Sequence, residues 1–200
     1  MVKYISFFTI NTSYEEEIKI LEASLKSFNL PYYFYPVENL GSWRANCHQK
    51  IKIIKSALNT FKQSIVYLDS DCVIKKYPEI FYKIEQGYDL GIGKVDFKNK
   101  YLAHSLNTYI SSVIYCPYKE TTFKILDLWE EKDLDFSIPY DDISLERVLN
   151  EHPEFKIYIL PDSYCQIFDI MKRAGEPVIQ LNQASRRFKV LIDGGKNGIK

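Results

Sequence analysis

The spacing of apolar residues changes along this chain, and each change marks an element. Lys3-Tyr4-Ile5-Ser6-Phe7-Phe8-Thr9-Ile10 is a short, mostly apolar run and predicts a first strand. Asn11, Thr12 and Ser13 supply capping residues, and Ser13-Tyr14-Glu15-Glu16 fits a capping box for a helix reaching about Phe28. Ile18, Leu21, Leu25 and Phe28 share one face of that helix. Pro31 then precedes a second strand, Tyr32 to Val37. A β-α-β opening of this kind is typical of a nucleotide-binding half. After the loop Asn39-Leu40-Gly41-Ser42, a helix is predicted from Trp43 to Phe61, with Ile51, Ile54 and Leu58 inward.

Ile65-Val66-Tyr67-Leu68 has no polar alternation, which predicts a buried central strand, as in a parallel sheet. Beyond it, the pattern predicts a short helix over Pro78 to Glu85, a strand over Tyr88 to Gly93 and a polar loop from Asp96 to Lys100. A strand over Asn107 to Tyr115 follows, then a helix over Glu120 to Lys132 with Phe123, Leu126 and Trp129 on one side. Pro139-Tyr140-Asp141-Asp142 opens another helix, Lys156 to Leu160 is a strand ended by Pro161, and Pro177 to Leu181 is the last strand. The glycine-rich stretch Gly194-Gly195-Lys196-Asn197-Gly198 reads as a flexible end over about 191–200. Alternating strands and helices define an α/β chain.

Composition narrows this picture. The chain has 200 residues, the length of one domain, and 46% of them are hydrophobic, enough for a core. Its 26 basic and 26 acidic residues cancel, so no global field favours nucleic acid. Cys47, Cys72, Cys116 and Cys165 are widely spread, with no CxxC and no metal-ligand spacing, which fits reduced thiols. Met1 leads directly into the first strand without a signal peptide, and no apolar segment reaches transmembrane length. A cytoplasmic protein is expected. The first turn, Ile10-Asn11-Thr12-Ser13, has no Gly-rich fingerprint, which argues against a dinucleotide enzyme, a P-loop protein and a nucleotidyltransferase.

The candidate chemistry lies just past the unalternated strand. Asp69-Ser70-Asp71 sits where open α/β sheets bind ligands, outside the carboxyl end of a strand. In extended geometry Asp69 and Asp71 point the same way. Two carboxylates on one side need a cation or must raise a pKa, and a hard divalent cation is the simplest solution. The competing reading is a turn, because Asp-Ser-Asp is turn-prone. Against it, apolar residues resume at Cys72-Val73-Ile74.

The segment Ile65-Val66-Tyr67-Leu68-Asp69-Ser70-Asp71 resembles the DxD motif of nucleotide-sugar-dependent glycosyltransferases with the GT-A fold. By order of elements the resemblance spans residues 3 to 190. It implies a single GT-A-like, Rossmann-like domain over 1–200, with a mixed, mostly parallel central sheet flanked by helices. It implies transfer of a sugar from a nucleoside-diphosphate sugar, a UDP-sugar for preference, to a glycan, lipid or protein acceptor. Asp69 and Asp71 would hold Mn²⁺ or Mg²⁺ against the donor diphosphate. The end of the first strand would contact base and ribose, making Thr9 and Asn11 candidates; helix capping is the alternative for Asn11. The segment before the motif would direct a basic residue, Arg44 or Lys50, at the phosphates, the alternative being a solvated helix face. His48 reads as a surface residue rather than a ligand.

Further along, Asn107 resembles the asparagine that leads the family's strand beneath the donor sugar, although Ser111-Ser112 stands where a Gly is expected; a turn residue is the alternative. Asp141 and Asp142 would face acceptor or donor sugar, and either would serve an inverting mechanism as base, whereas a retaining mechanism needs none in that role. The alternative for them is a helix N-terminus that favours acidic residues. Asn182-Gln183-Ala184-Ser185-Arg186-Arg187-Phe188-Lys189 looks like the loop that closes over the diphosphate, with Arg186, Arg187 and Lys189 neutralising it; a basic tail is the alternative. Many family members place a metal-binding His here; this chain has none, so Asn182 or Gln180 would donate an amide oxygen, or water would complete the shell. Two other readings compete. Asp69-Ser70-Asp71-Cys72-Val73 also fits the aspartyl motif of haloacid-dehalogenase-type phosphatases, although that motif ends the first strand of its core, and here a β-α-β unit precedes it. A non-catalytic nucleotide-sugar-binding domain is the other.

Overall fold

The computed structural model describes residues 2–84, 87–96, 108–135, 141–171 and 175–184. The first half runs β1 (Lys3–Thr9), α1 (Tyr14–Ser27), β2 (Tyr32–Val37), α2 (Trp43–Cys47), α3 (Gln49–Phe61), β3 (Ile65–Leu68), β4 (Cys72–Ile74) and α4 (Ile80–Lys83). The second runs β5 (Leu90–Val95), β6 (Thr108–Cys116), α5 (Glu120–Asp133), α6 (Asp141–Glu151), β7 (Ile157–Leu160), a 3₁₀ turn (Asp162–Tyr164), β8 (Gln166–Ile167) and β9 (Ile179–Leu181).

The main sheet has the order β2-β1-β3-β6-β5-β7. Strands β2, β1 and β3 are mutually parallel, β5 and β7 are parallel, and β6 runs antiparallel to both of its neighbours. The sheet is mixed and mostly parallel, as expected. A smaller sheet, β4-β9-β8, continues the chain beyond the acidic motif.

Burial on both faces explains the apolar run in β3. Val66 and Leu68 join the layer made with Leu21 and Leu25 of α1 and with β4 and β9. Ile65 and Tyr67 join the opposite layer, with Ile51, Ile54 and Leu58 of α3, Trp129 of α5 and Leu145 of α6. Side chains alternate across a strand, so a strand covered on both sides has no place for polar residues. The helices follow the same logic: Lys55 of α3 pairs with Asp127 and Glu130 of α5 on the rim of the second layer.

Two local expectations are corrected. Ser13 already has helical dihedrals and makes no side-chain cap. The turn is made two residues earlier: Asn11 takes a left-handed conformation (φ 58°), and its N–H donates to Glu15 Oε1 at 2.8 Å. Thr12 Oγ donates to the Thr9 carbonyl at 2.7 Å and accepts from Tyr14 N–H. The helix expected over 43–61 is divided at His48, whose ring pairs with Asp133 of α5. Ser42 caps the first piece by accepting from Ala45 N–H at 3.1 Å, as its residue type favours.

The winding reverses at β1. From β1 the chain crosses by α1 to β2 on one side, then returns by α3, on the other face, to β3 on the opposite side. Between such diverging connections the carboxyl ends of β1 and β3 leave a crevice.

Candidate active site

That crevice is a cavity of about 400 Å³. Thr9 enters from the end of β1, Asp69, Ser70 and Asp71 from the end of β3, and Ser111 and Ser112 from β6. Asp141 and Asp142 enter from the start of α6, Lys50 from the start of α3, and Trp43 and Cys47 from α2.

The acidic motif is a turn that also lines the cavity. Cys72 N–H donates to the Asp69 carbonyl at 3.0 Å, so the chain is not extended through Ser70. The pointing of both carboxylates into one space comes from this turn and not from period-two alternation. Asp69 N–H donates to the Ser112 carbonyl at 2.9 Å and extends the β3–β6 ladder. Tyr67, two residues earlier on the same face of β3, donates its hydroxyl to Asp69 Oδ1 at 2.7 Å. Asp71 is held by the chain returning from β9: Ala184 N–H donates to Asp71 Oδ2 at 2.6 Å, and Asn182 N–H donates to the Asp71 carbonyl at 3.1 Å.

Lys50 occupies the floor, only 4% exposed. Its Nζ lies 2.6 Å from Asp141 Oδ2 and 3.2 Å from Asp69 Oδ1, and donates to Ser111 Oγ at 3.0 Å. It also stands 5.3 Å from the centre of the Tyr67 ring. Burial opposes its charge, but Asp141 and Asp69 outweigh burial and hold the ammonium well above its ordinary range. Ser111 links both acids of α6: its hydroxyl donates to Asp141 Oδ2 at 3.1 Å, and its N–H donates to Asp142 Oδ1 at 2.7 Å.

Burial and like charge act on Asp142 and on Asp71. Burial, and then the charge of Asp141, push Asp142 up to about 6, against the pull of Lys50 and of the Ser111 hydrogen bond. Burial, and then Asp69, push Asp71 up to about 6, against the Ala184 N–H. Behind α6 lies a buried support. Trp129 Nε1 donates to the Asp141 carbonyl at 3.1 Å and to Ser144 Oγ at 3.0 Å, and Ser144 Oγ donates to Asp133 Oδ1 at 2.8 Å. Asp133 in turn pairs with His48.

Of the residues expected from the sequence, Thr9, Lys50, Asp69, Asp71, Asp141 and Asp142 are brought together. Arg44 is not among the cavity's lining residues; its guanidinium donates to the carbonyls of Asp133 and Asp135 at 3.2 and 3.3 Å. Asn11 is exposed at its turn and also stands outside the lining. Asn182 meets Asp71 through its backbone, while its side-chain oxygen accepts from Gln180 Nε2 at 2.7 Å. His48 is not the surface residue expected, because Asp133 draws it inward. Asn107, Arg186, Arg187 and Lys189 lie outside the described residues. Sequence reasoning missed Tyr67 and Ser111. Both carried a signal: Tyr67 shares a face with Asp69, and Ser111-Ser112 interrupts an apolar strand.

Among the described residues, no group of three or more His, Cys, Asp or Glu side chains could hold a metal ion. The pair Asp69 and Asp71 nevertheless offers hard oxygen donors of the type Mg²⁺ and Mn²⁺ take. Asp69 Oδ2 has no hydrogen bond among the described residues, and both carboxyls border the cavity.

No protein-family model matches the sequence, and no curated protein does. Solved structures do. A glycosyltransferase involved in the glycosylation of the major capsid of PBCV-1 aligns over 96% of this chain and 98% of its own, with a TM-score of 0.69 and 13% identity. The apo form of the glycosyltransferase GlyE of Streptococcus pneumoniae TIGR4 aligns over 90% of this chain, with a TM-score of 0.58 and 13% identity; this chain covers 53% of GlyE. The galactosyltransferase LgtC, in complex with donor and acceptor sugar analogs, aligns over 96% of this chain and 95% of its own, with a TM-score of 0.51 and 13% identity. The chain has the GT-A-like fold of these glycosyltransferases.

Proposed function

We propose that this chain is a glycosyltransferase that takes a sugar from a nucleoside-diphosphate sugar, with a UDP-sugar as first choice of donor. The observation that carries this reading is the convergence of Asp69, Asp71, Asp142 and Lys50 on one cavity at the carboxyl ends of β1 and β3. Base and ribose would lie along Thr9 and Tyr14, and the diphosphate at Asp69 and Asp71. A Mn²⁺ or Mg²⁺ ion held by those two carboxylates, with an amide oxygen or water completing its shell, would neutralise charge on the leaving diphosphate. Arg186 and Arg187 remain candidates for the same diphosphate. Asn107 remains one for the donor sugar.

The two acids of α6 divide their roles. Asp141 is engaged by Lys50 and Ser111, which suits it to orienting the floor. Asp142 gives one oxygen to Ser111 N–H and borders the cavity, which suits it to accept the acceptor's proton. The acceptor oxygen forms a bond to the anomeric carbon, the bond to the diphosphate breaks with its electron pair, and the hydroxyl proton passes to Asp142.

The test is release of UDP from a panel of UDP-sugars. Slow hydrolysis with Mn²⁺, lost in EDTA and in Asp71→Asn, is expected. Hydrolysis of p-nitrophenyl phosphate with Mg²⁺ and none of any UDP-sugar would move the chain to the phosphatase reading.

A further inference from the structure

We propose that Trp43 is the platform on which an acceptor saccharide stacks; this rests on the glycosyltransferase reading. The loop between β2 and α2 is tied down by side-chain hydrogen bonds. Asn46 Oδ1 accepts from Leu40 N–H at 2.8 Å, and Asn39 Oδ1 accepts from Gly41 N–H and Asn46 Nδ2, each at 3.0 Å. Gly41 supplies the positive φ (82°) that the turn needs, and Ser42 caps the helix that follows. What this rigid loop presents is apolar: Leu40 is 55% exposed and Trp43 44%. Trp43 also borders the cavity, one helical turn from Cys47, which borders it too.

The position of Trp43 separates it from the donor base. Tyr14 reaches the cavity from α1, which packs on the first face of the sheet. Trp43 reaches it from α2, which Arg44 and His48 tie to α5 on the second face. Asp141 and Asp142 stand on that same side, at the start of α6, which packs against α5. A cavity of about 400 Å³ is near the lower end for small-molecule sites. A nucleotide sugar would occupy it and leave the rim to the acceptor. An indole beside carboxylates suits a ring with an apolar C–H face and hydroxyl donors at its edge, which is a saccharide; a nucleobase, which an indole also stacks on, would lie on the side of Tyr14.

The chain has two tryptophans, and Trp129 is fully buried, so acrylamide quenching reports on Trp43. With UDP and Mn²⁺ present, methyl β-D-glucoside, methyl β-D-galactoside and lactose are titrated in turn. At least one is expected to protect Trp43, while UDP alone does not. Saturation-transfer NMR of that saccharide should show about three- to tenfold weaker binding to Trp43→Ala, and near-normal binding to Trp43→Phe. Trp43→Ala should keep the rise in Tm caused by UDP. Protection by UDP alone would make Trp43 a base platform and overturn the assignment. Absence of protection by all three saccharides, in a protein whose Tm UDP raises, would overturn it and leave the donor reading standing. Failure of UDP to raise Tm would overturn both.

Discussion

Asp141 shares its carboxylate with Lys50 and Ser111, whereas Asp142 accepts one backbone N–H and otherwise meets the cavity. The difference is measurable through pH. The carboxyl of Asp142 is pushed up to about 6 in the folded chain by burial and by Asp141. Below about pH 4 both folded and unfolded states hold the proton, and the group contributes nothing. As pH rises from about 4 to 6 the unfolded chain releases its proton first, so stability falls across that window and then levels. Asp142→Asn keeps an oxygen for Ser111 N–H and removes the titration. The variant should be more stable than the natural chain near neutral pH, by on the order of 2 kcal/mol, with the gap closing by about pH 4. Urea unfolding over a pH series measures this, and a gap independent of pH would contradict it. Lys50 gives the converse case. Lys50→Met leaves the buried Asp141, and the partly exposed Asp69, without their cation, and a loss of about 3–5 kcal/mol is expected in urea unfolding. A loss under about 1 kcal/mol would place the ion pairs among those of little consequence.

Elements were legible where one periodicity ran unbroken, and illegible where a contact from elsewhere intervened. The unalternated β3 and the 18, 21, 25 stripe of α1 locate both faces of the sheet, because burial alone dictates them. His48, where the helix divides, pairs with Asp133, far along the chain, and no local pattern announces that contact. Strand β8 has two residues, too few for a period. The turn at Ser70 illustrates both sides: residue type pointed to it, and the resumed apolar run obscured it. One element-scale contact makes a sharp prediction. Strand β5 shifts register between Ile92 and Gly93, and a Cβ on Gly93 would lie 2.5 Å from Cys165 Sγ and 3.0 Å from its Cβ. Gly93→Ala should cost about 1–3 kcal/mol by overpacking. Cys165→Ala should recover part of that in a double-mutant cycle. Simple additivity would mean that the two segments do not press on each other there.

At the scale of the whole molecule, the reversal of winding at β1 gathers side chains from β1, β3, β6, α2, α3 and α6 into one crevice. That is why the candidate site was only partly readable. Asp69 and Asp71 stand together in sequence, but the pairing of Lys50 with Asp141 joins positions 91 apart, and Ala184 reaches Asp71 across 113. Charge types could be guessed; partners could not. The same gathering turned Arg44 toward α5 and left Lys50 at the floor, although the two were interchangeable in the sequence. No helix among the described residues is long and apolar enough to cross a membrane.

The central claim is that Asp69 and Asp71 form a cation-dependent diphosphate site. Its most direct test is the shift in Tm caused by UDP, measured with Mn²⁺ and with EDTA, in the natural chain and in Asp71→Asn. A ligand that binds only the folded chain raises Tm by an amount that grows with the logarithm of its affinity. Asn at 71 still offers an oxygen to Ala184 N–H, so the fold should persist while the anionic donor is lost. A large UDP shift with Mn²⁺ is expected in the natural chain, with little shift in EDTA. In Asp71→Asn the Mn²⁺-dependent part should fall by at least about tenfold in apparent affinity, near 1.4 kcal/mol. Equal UDP shifts in Mn²⁺ and EDTA, or an Asp71→Asn chain that binds UDP as the natural one does, would contradict the claim.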